Sequence, residues 1–105
     1  MKMAFPTVMA FDDGQLVGFM ATLPSKDAVM TGPLVVKEGR NRGWVALRLF
    51  DAYEGILRWF GVTKYLIPVG KSSGSLVDAV GRLLEQKPFA EDNDDMWFVR
   101  ELKDA

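Results

Sequence analysis

The sequence predicts an α/β domain of the α+β kind, with a mixed, mostly antiparallel sheet, two main helices and the element order βββαβαββ. Three observations predict it. Short β-rich runs separated by turn residues open and close the chain. Two stretches between them carry helical periodicity. A strand lies between those two helices, so the topology includes a β-α-β crossover. With 105 residues, 49% of them hydrophobic, the chain supports one core and one domain spanning its whole length.

Thr7 to Phe11 forms the first strand. Asp12-Asp13-Gly14-Gln15 is a turn, and Leu16 to Leu23 is the antiparallel return. Pro24-Ser25-Lys26-Asp27 supplies a second turn, after which Ala28 to Lys37 is a third extended stretch. From Trp44 the period changes. Ala46, Leu49, Phe50, Tyr53, Leu57 and Phe60 share one helical face, while Arg48, Asp51, Glu54 and Arg58 lie off it. Gly61 ends this helix, and Tyr65-Leu66-Ile67 marks the strand that follows. A second helix is expected from Ser75 to Gln86, opened by a capping box of Ser75 with Asp78 and closed by Pro88. A short strand near Phe89, a polar turn at Asp92 to Asp95 and a terminal strand Met96 to Arg100 complete the order.

Composition excludes several chemistries. There is no cysteine and no histidine, which removes disulfides, thiol nucleophiles, thiolate zinc sites and Ser-His-Asp catalysis. Thirteen basic and 14 acidic residues give a net charge of -1, so neither nucleic acid nor an anionic membrane is an expected partner. No apolar run approaches the ~20 residues that span a bilayer. Pro6 and Asp12-Asp13 also interrupt the amino-terminal apolar stretch, so a cytoplasmic protein is expected. Gly70-Lys71-Ser72 lacks the earlier glycine of a nucleotide-binding P-loop, Tyr65 standing in its place. The acidic run at 92–95 lacks EF-hand spacing.

The informative segment is the loop Glu38-Gly39-Arg40-Asn41-Arg42-Gly43 feeding the first helix, with Lys37 and Arg48 close by. A helix amino terminus presents unpaired N–H groups and the positive end of the helix dipole, which suits phosphate. Arg40-Asn41-Arg42-Gly43-Trp44-Val45 resembles the pyrophosphate loop of the GCN5-related N-acetyltransferases: Arg or Gln, two residues, Gly, one residue, then Gly or Ala. The hairpin, the strand ending Gly32-Pro33-Leu34-Val35-Val36, the long helix, the next strand and the Pro88-Phe89 junction follow in that family's order. Pro33 and Pro68 flank the long helix in strands where proline cannot donate to a ladder, and in the family the two equivalent strands splay apart.

The resemblance implies acetyl-CoA as cosubstrate, with its pantetheine along Leu34, Val35 and Val36 and its pyrophosphate on Arg40, Asn41, Arg42, Gly43, Trp44 and Val45. Ser72 is a further phosphate contact by position. Glu38 stands near where the family keeps a carboxylate that deprotonates the acceptor amine, directly or through water. Tyr53 and Tyr65 are the remaining candidates for acid or base chemistry. Two departures stand out: Val45 replaces a small residue, and Leu84 occupies the place of the family's general-acid tyrosine. The resemblance also implies that the family's opening strand and two helices are missing, as in small relatives encoded by bacteriophages. The acceptor then sits in an open groove, or a second subunit or a partner protein completes its wall. Two functions are therefore expected as alternatives: acyl-CoA-dependent N-acetyl transfer to a primary amine, or a noncatalytic module of the same fold that binds protein. Exposed members of the set Trp44, Trp59, Trp97, Phe60 and Phe98 would mark a partner surface in the second case.

Overall fold

The structure, a computed structural model, describes residues 6–24 and 30–102. β1 (Val8–Asp12) and β2 (Gln15–Met20) form the predicted hairpin. Asp13 and Gly14 make its two-residue turn with φ of 52° and 80°, the left-handed values whose twist matches paired strands. Ala10 faces Gly18 and Phe11 faces Leu16, so Val17 is the extra residue of a bulge on β2. The expected turn at Pro24–Asp27 and the start of the stretch from Ala28 fall largely on 25–29, outside the described residues.

The third extended stretch divides into two strands. β3 (Met30–Thr31) pairs in parallel with β5 (Lys64–Gly70), whereas β4 (Leu34–Val36) pairs antiparallel with β2. Proline chemistry explains the division. The Gly32 N–H donates to the Leu66 carbonyl at 2.7 Å, and the next rung of a parallel ladder in this register would run from residue 68 to the Gly32 carbonyl. Residue 68 is proline and has no N–H to give. The ladder stops, β4 leaves with β2, and two sheets result: β1-β2-β4, and β3-β5-β7-β6 with β6 (Ala90–Glu91) and β7 (Asp95–Glu101).

α1 (Arg42–Trp59) starts two residues before the expected Trp44. Ala46, Leu49, Phe50, Tyr53 and Leu57 are buried as their spacing requires. Two assignments are corrected. Phe60 lies past the helix end, where the chain turns into Gly61 at φ 79°, and is exposed. Glu54 is 4% exposed, because Tyr65 donates to its carboxylate at 2.6 Å and Arg100 at 2.9 and 3.2 Å. Those partners come from β5 and β7, which helical periodicity cannot see.

α2 (Gly74–Leu84) opens one residue earlier than expected and closes earlier. Glu85 adopts the left-handed conformation at φ 54°, and Gln86 N–H bonds back to the Gly81 carbonyl. Termination therefore precedes Pro88. The Ser75–Asp78 capping box is absent: Ser73 occupies the N-cap position, and the Ser75 hydroxyl accepts from Arg42 instead.

Both helices pack on one side of the strands. α1 covers β1, β2 and β4, and α2 covers β5 and β7. Gly18 permits this approach, since a Cβ there would lie 3.0 Å from the Val35 carbonyl oxygen and 3.1 Å from the Leu49 side chain. The core joins Met20, Leu34, Val36, Leu49, Tyr53, Tyr65, Ile67, Val80 and Phe98.

Candidate functional site

The parting of the sheets puts a free strand edge beside a helix amino terminus. Ala21 N–H bonds to the Pro33 carbonyl and Lys37 N–H to the Val17 carbonyl, so residues 33, 35 and 37 turn their backbone groups toward β2. By strand alternation Leu34 and Val36 turn theirs toward β5, to which no ladder joins them. Of the three strand residues expected to meet a pantetheine arm, two therefore offer backbone groups to the opening. Val35 does not.

The chain then runs through Lys37, Glu38, Gly39, Arg40 and Asn41, all exposed, into α1. Asn41 holds the N-cap position without a side-chain cap bond, and the first turn contains no acidic residue. Arg42 N–H bonds to the Gly39 carbonyl and Val45 N–H to the Asn41 carbonyl. The N–H groups of Gly43 and Trp44 find no acceptor among the described residues. α2 repeats the pattern, with no side-chain cap at Ser73 and no acid in its first turn. Ser72 is exposed in the turn just before it. Two uncapped helix amino termini are thus present, and Arg42 on the first bonds to Ser75 on the second at 2.7 Å.

The arginines part company. Arg40 is exposed and, among the described residues, makes no ion pair. Arg42 is only 9% exposed, and its Nε and Nη2 donate to the Val36 carbonyl at 3.1 and 3.0 Å. Sequence reasoning treated the two alike, since nothing in the spacing distinguishes a guanidinium in solvent from one folded back onto its own strand. Val45 resolves differently from its expectation: its side chain lies 3.2 Å from a Cβ built on Gly18, so it points into the sheet. Gly43 faces α2, where a Cβ would meet Ala79 at an ordinary 3.9 Å.

Trp44 is exposed with the Arg48 guanidinium 5.8 Å above its ring. Both line an open groove of about 940 Å³ between β1, the loop and the first half of α1, along with Glu38, Arg40, Met9 and Phe11. This groove includes no residue of β5 or α2, so it is separate from the opening between the sheets.

Neither expected tyrosine is available for proton transfer. Tyr53 and Tyr65 are fully buried and packed edge to face at 5.4 Å. Burial, and then the Glu54 carboxylate beside it, pushes the Tyr65 hydroxyl far above the usual tyrosine range. Burial also raises Tyr53, outweighing its bond with Thr22. Leu84 is half-buried and packs against the core. Among the described residues no cluster of acidic side chains is arranged to hold a metal ion, and no helix is long and apolar enough to cross a membrane.

No protein-family model and no curated protein matches the chain. Solved structures do. An aminoglycoside 6'-acetyltransferase type Ii superposes with a TM-score of 0.71 at 20% identity, over 94% of this chain and 70% of its own. The PaiA N-acetyltransferase from Thermoplasma acidophilum, solved in complex with coenzyme A, gives 0.72 at 16% over 92% and 60%. YncA from Salmonella typhimurium, a putative acetyltransferase solved with acetyl-CoA, gives 0.65 at 11% over 96% and 66%. Each is longer than this chain, which spans 60% to 70% of their lengths. The splayed sheets, the two helices on one side and these superpositions establish that the chain has the fold of the GCN5-related N-acetyltransferases.

Proposed function

We propose that the protein binds an acyl-coenzyme A and transfers its acetyl group to a primary amine. The observation that carries this is a continuous run of backbone outside any ladder or cap: the edge of Leu34 and Val36, unpaired to β5, leads through an exposed arginine loop to the uncapped start of α1. Amides at Gly43 and Trp44 with the Arg40 side chain suit a diphosphate. The backbone of Leu34 and Val36 suits the amides of a pantetheine arm. Acetyl-CoA, when bound, supplies the activated thioester. Two of the superposed structures are described with coenzyme A or acetyl-CoA, which supports the reading.

The chain's own contribution is mainly positioning. A lysine-like amine with pKa near 10.4 is neutral in only roughly one molecule in two thousand at about pH 7, so the site must favour the neutral form. Glu38, exposed in the loop, is the proposed base. It lies in the bend just after β4, four positions from Leu34, so it acts on an amine at the far end of the edge through a chain of waters. Leu84 donates no proton, and the leaving thiolate takes its proton from solvent.

The test is thermal unfolding and calorimetry with acetyl-CoA, which should raise Tm because it binds only the folded loop. Arg40→Ala should weaken binding about tenfold, whereas Arg58→Ala, on the exposed side of α1, should leave it unchanged. Neither heat nor a Tm shift at millimolar ligand would sink the proposal. A noncatalytic binding module is the second reading. The hydroxyl-free Leu84 and the exposed pair Trp59 and Phe60, packed edge to face at 4.9 Å, favour it. Leu84→Tyr separates the two: a folded variant that binds acetyl-CoA and gains transfer to a small amine supports latent catalysis.

A further inference from the structure

Arg42 closes part of the opening that the proposed coenzyme site requires. Its guanidinium is folded over the Val36 carbonyl, with bonds of 3.1 and 3.0 Å, and reaches Ser75 on α2 at 2.7 Å. Val36 O is the β4 carbonyl nearest the loop that faces away from β2, so this fork ties β4 to the start of α2 at the loop end of the cleft. A buried guanidinium is ordinarily matched by a carboxylate. Among the described residues Arg42 has none within 4.0 Å, only neutral oxygens. The free N–H groups of Gly43 and Trp44 adjoin it along the chain. An anion held there would offer Arg42 charge-assisted, bidentate partners stronger than a neutral carbonyl.

We propose that Arg42 is a specificity-determining latch: it bars the Val36 edge until a diphosphate at the amino terminus of α1 draws it away, so the site selects diphosphate-bearing acyl carriers over carriers lacking that group. The inference rests on the coenzyme reading above. It adds that phosphate recognition and opening of the strand edge are one event, because the same side chain serves both. A ligand with a pantetheine arm alone must break the latch without compensation, and its apparent affinity is reduced by the fraction of molecules that stand open.

Titration of the full chain with coenzyme A and with pantetheine tests this. Wild type should bind coenzyme A and discriminate strongly against pantetheine. Arg42→Met should bind pantetheine about tenfold tighter than wild type and coenzyme A more weakly, compressing the discrimination from both sides. Ser75→Ala removes one exposed anchor of the latch and should move pantetheine affinity the same way by a smaller factor. It guards against Arg42→Met failing to fold. The Arg42 Nε–H resonance gives a readout without mutation: held on the Val36 carbonyl in the free protein, it should shift as coenzyme A binds and stay in place with pantetheine at the concentration that saturates coenzyme A binding. If coenzyme A binds while pantetheine affinity is identical in wild type and both variants, or if the Nε–H resonance is unmoved in the coenzyme A complex, the latch is wrong and the coenzyme reading stands. If coenzyme A binds none of the three proteins, both fall. Coenzyme A binding that appears only once Arg42 or Ser75 is changed would mean a bar that the diphosphate does not lift, and it overturns the proposal.

Discussion

At the scale of single residues, glycines decide what can approach what. Gly32 lies under Tyr53, where a Cβ would come within 3.0 Å of the ring, and Gly18 admits α1 with Val45 packed against it. Gly43 differs, because a Cβ there meets only Ala79 at 3.9 Å and its backbone is helical. Packing therefore does not require glycine at 43, and ligand approach is the remaining reason for it. Gly43→Ala should raise stability by about 0.5–1 kcal/mol, as for glycine replaced inside a helix, while weakening acetyl-CoA about tenfold through obstruction of the phosphate. Chemical denaturation and calorimetry on the same variant check both halves. Unchanged ligand affinity would remove Gly43 from the site. The loop motif was legible in the sequence because its chemistry is local. That Val45 faces the sheet was not, since the Gly18 hollow that receives it lies 27 positions away.

At the scale of elements, the opening between the two sheets depends on one missing donor. The third strand reads as continuous because its β-rich composition is continuous. The division at Gly32 depends on which strand offers the next N–H. Pro68→Val should supply the absent donor to the Gly32 carbonyl and extend the β3–β5 ladder toward β4. The expected outcome is a stability gain of about 1 kcal/mol from the added bond, slow exchange of the new residue-68 amide, and weaker acetyl-CoA binding as the cleft narrows. A fast-exchanging amide at 68 with undiminished binding would show that the opening is held by something other than the proline. The prolines themselves were visible in the sequence as breaks in pairing. Which carbonyl each would leave unpartnered needed the register.

At the scale of the whole molecule, a polar network is buried between the two sheets and α1. Tyr65 donates to Glu54, Arg100 clamps the same carboxylate, Arg58 approaches it at 3.8 Å, and Tyr53 meets Thr22. Every buried side-chain polar atom among the described residues has a partner. Both tyrosine hydroxyls titrate above their ordinary value of 10.0 in the folded state. Their contribution to stability is full below that value. It declines as pH rises, because the unfolded chain releases protons that the folded chain retains. The slope is about 1.4 kcal/mol per tyrosine per pH unit between the unfolded and folded values. The urea midpoint should accordingly fall between about pH 8 and about pH 11, and Tyr65→Phe should flatten that fall while lowering the midpoint at about pH 8. A midpoint insensitive to pH over this range would mean that the tyrosines titrate in place.

The sequence by itself determined the element order, the apolar face of α1 and the position of an anion-suited loop, because turn chemistry, periodicity and helix polarity act over a few neighbouring residues. Tertiary structure alone decided that Glu54 is a buried hub, that Arg42 folds back onto Val36 while Arg40 stays in solvent, and that both tyrosines are sequestered from proton transfer. Each of these outcomes is set by a partner contributed from another element: Tyr65 and Arg100 for Glu54, Ser75 on α2 for Arg42, Thr22 for Tyr53. The side chain's own type and neighbours fix what it can bond. Only the packed fold determines which of those bonds is within reach.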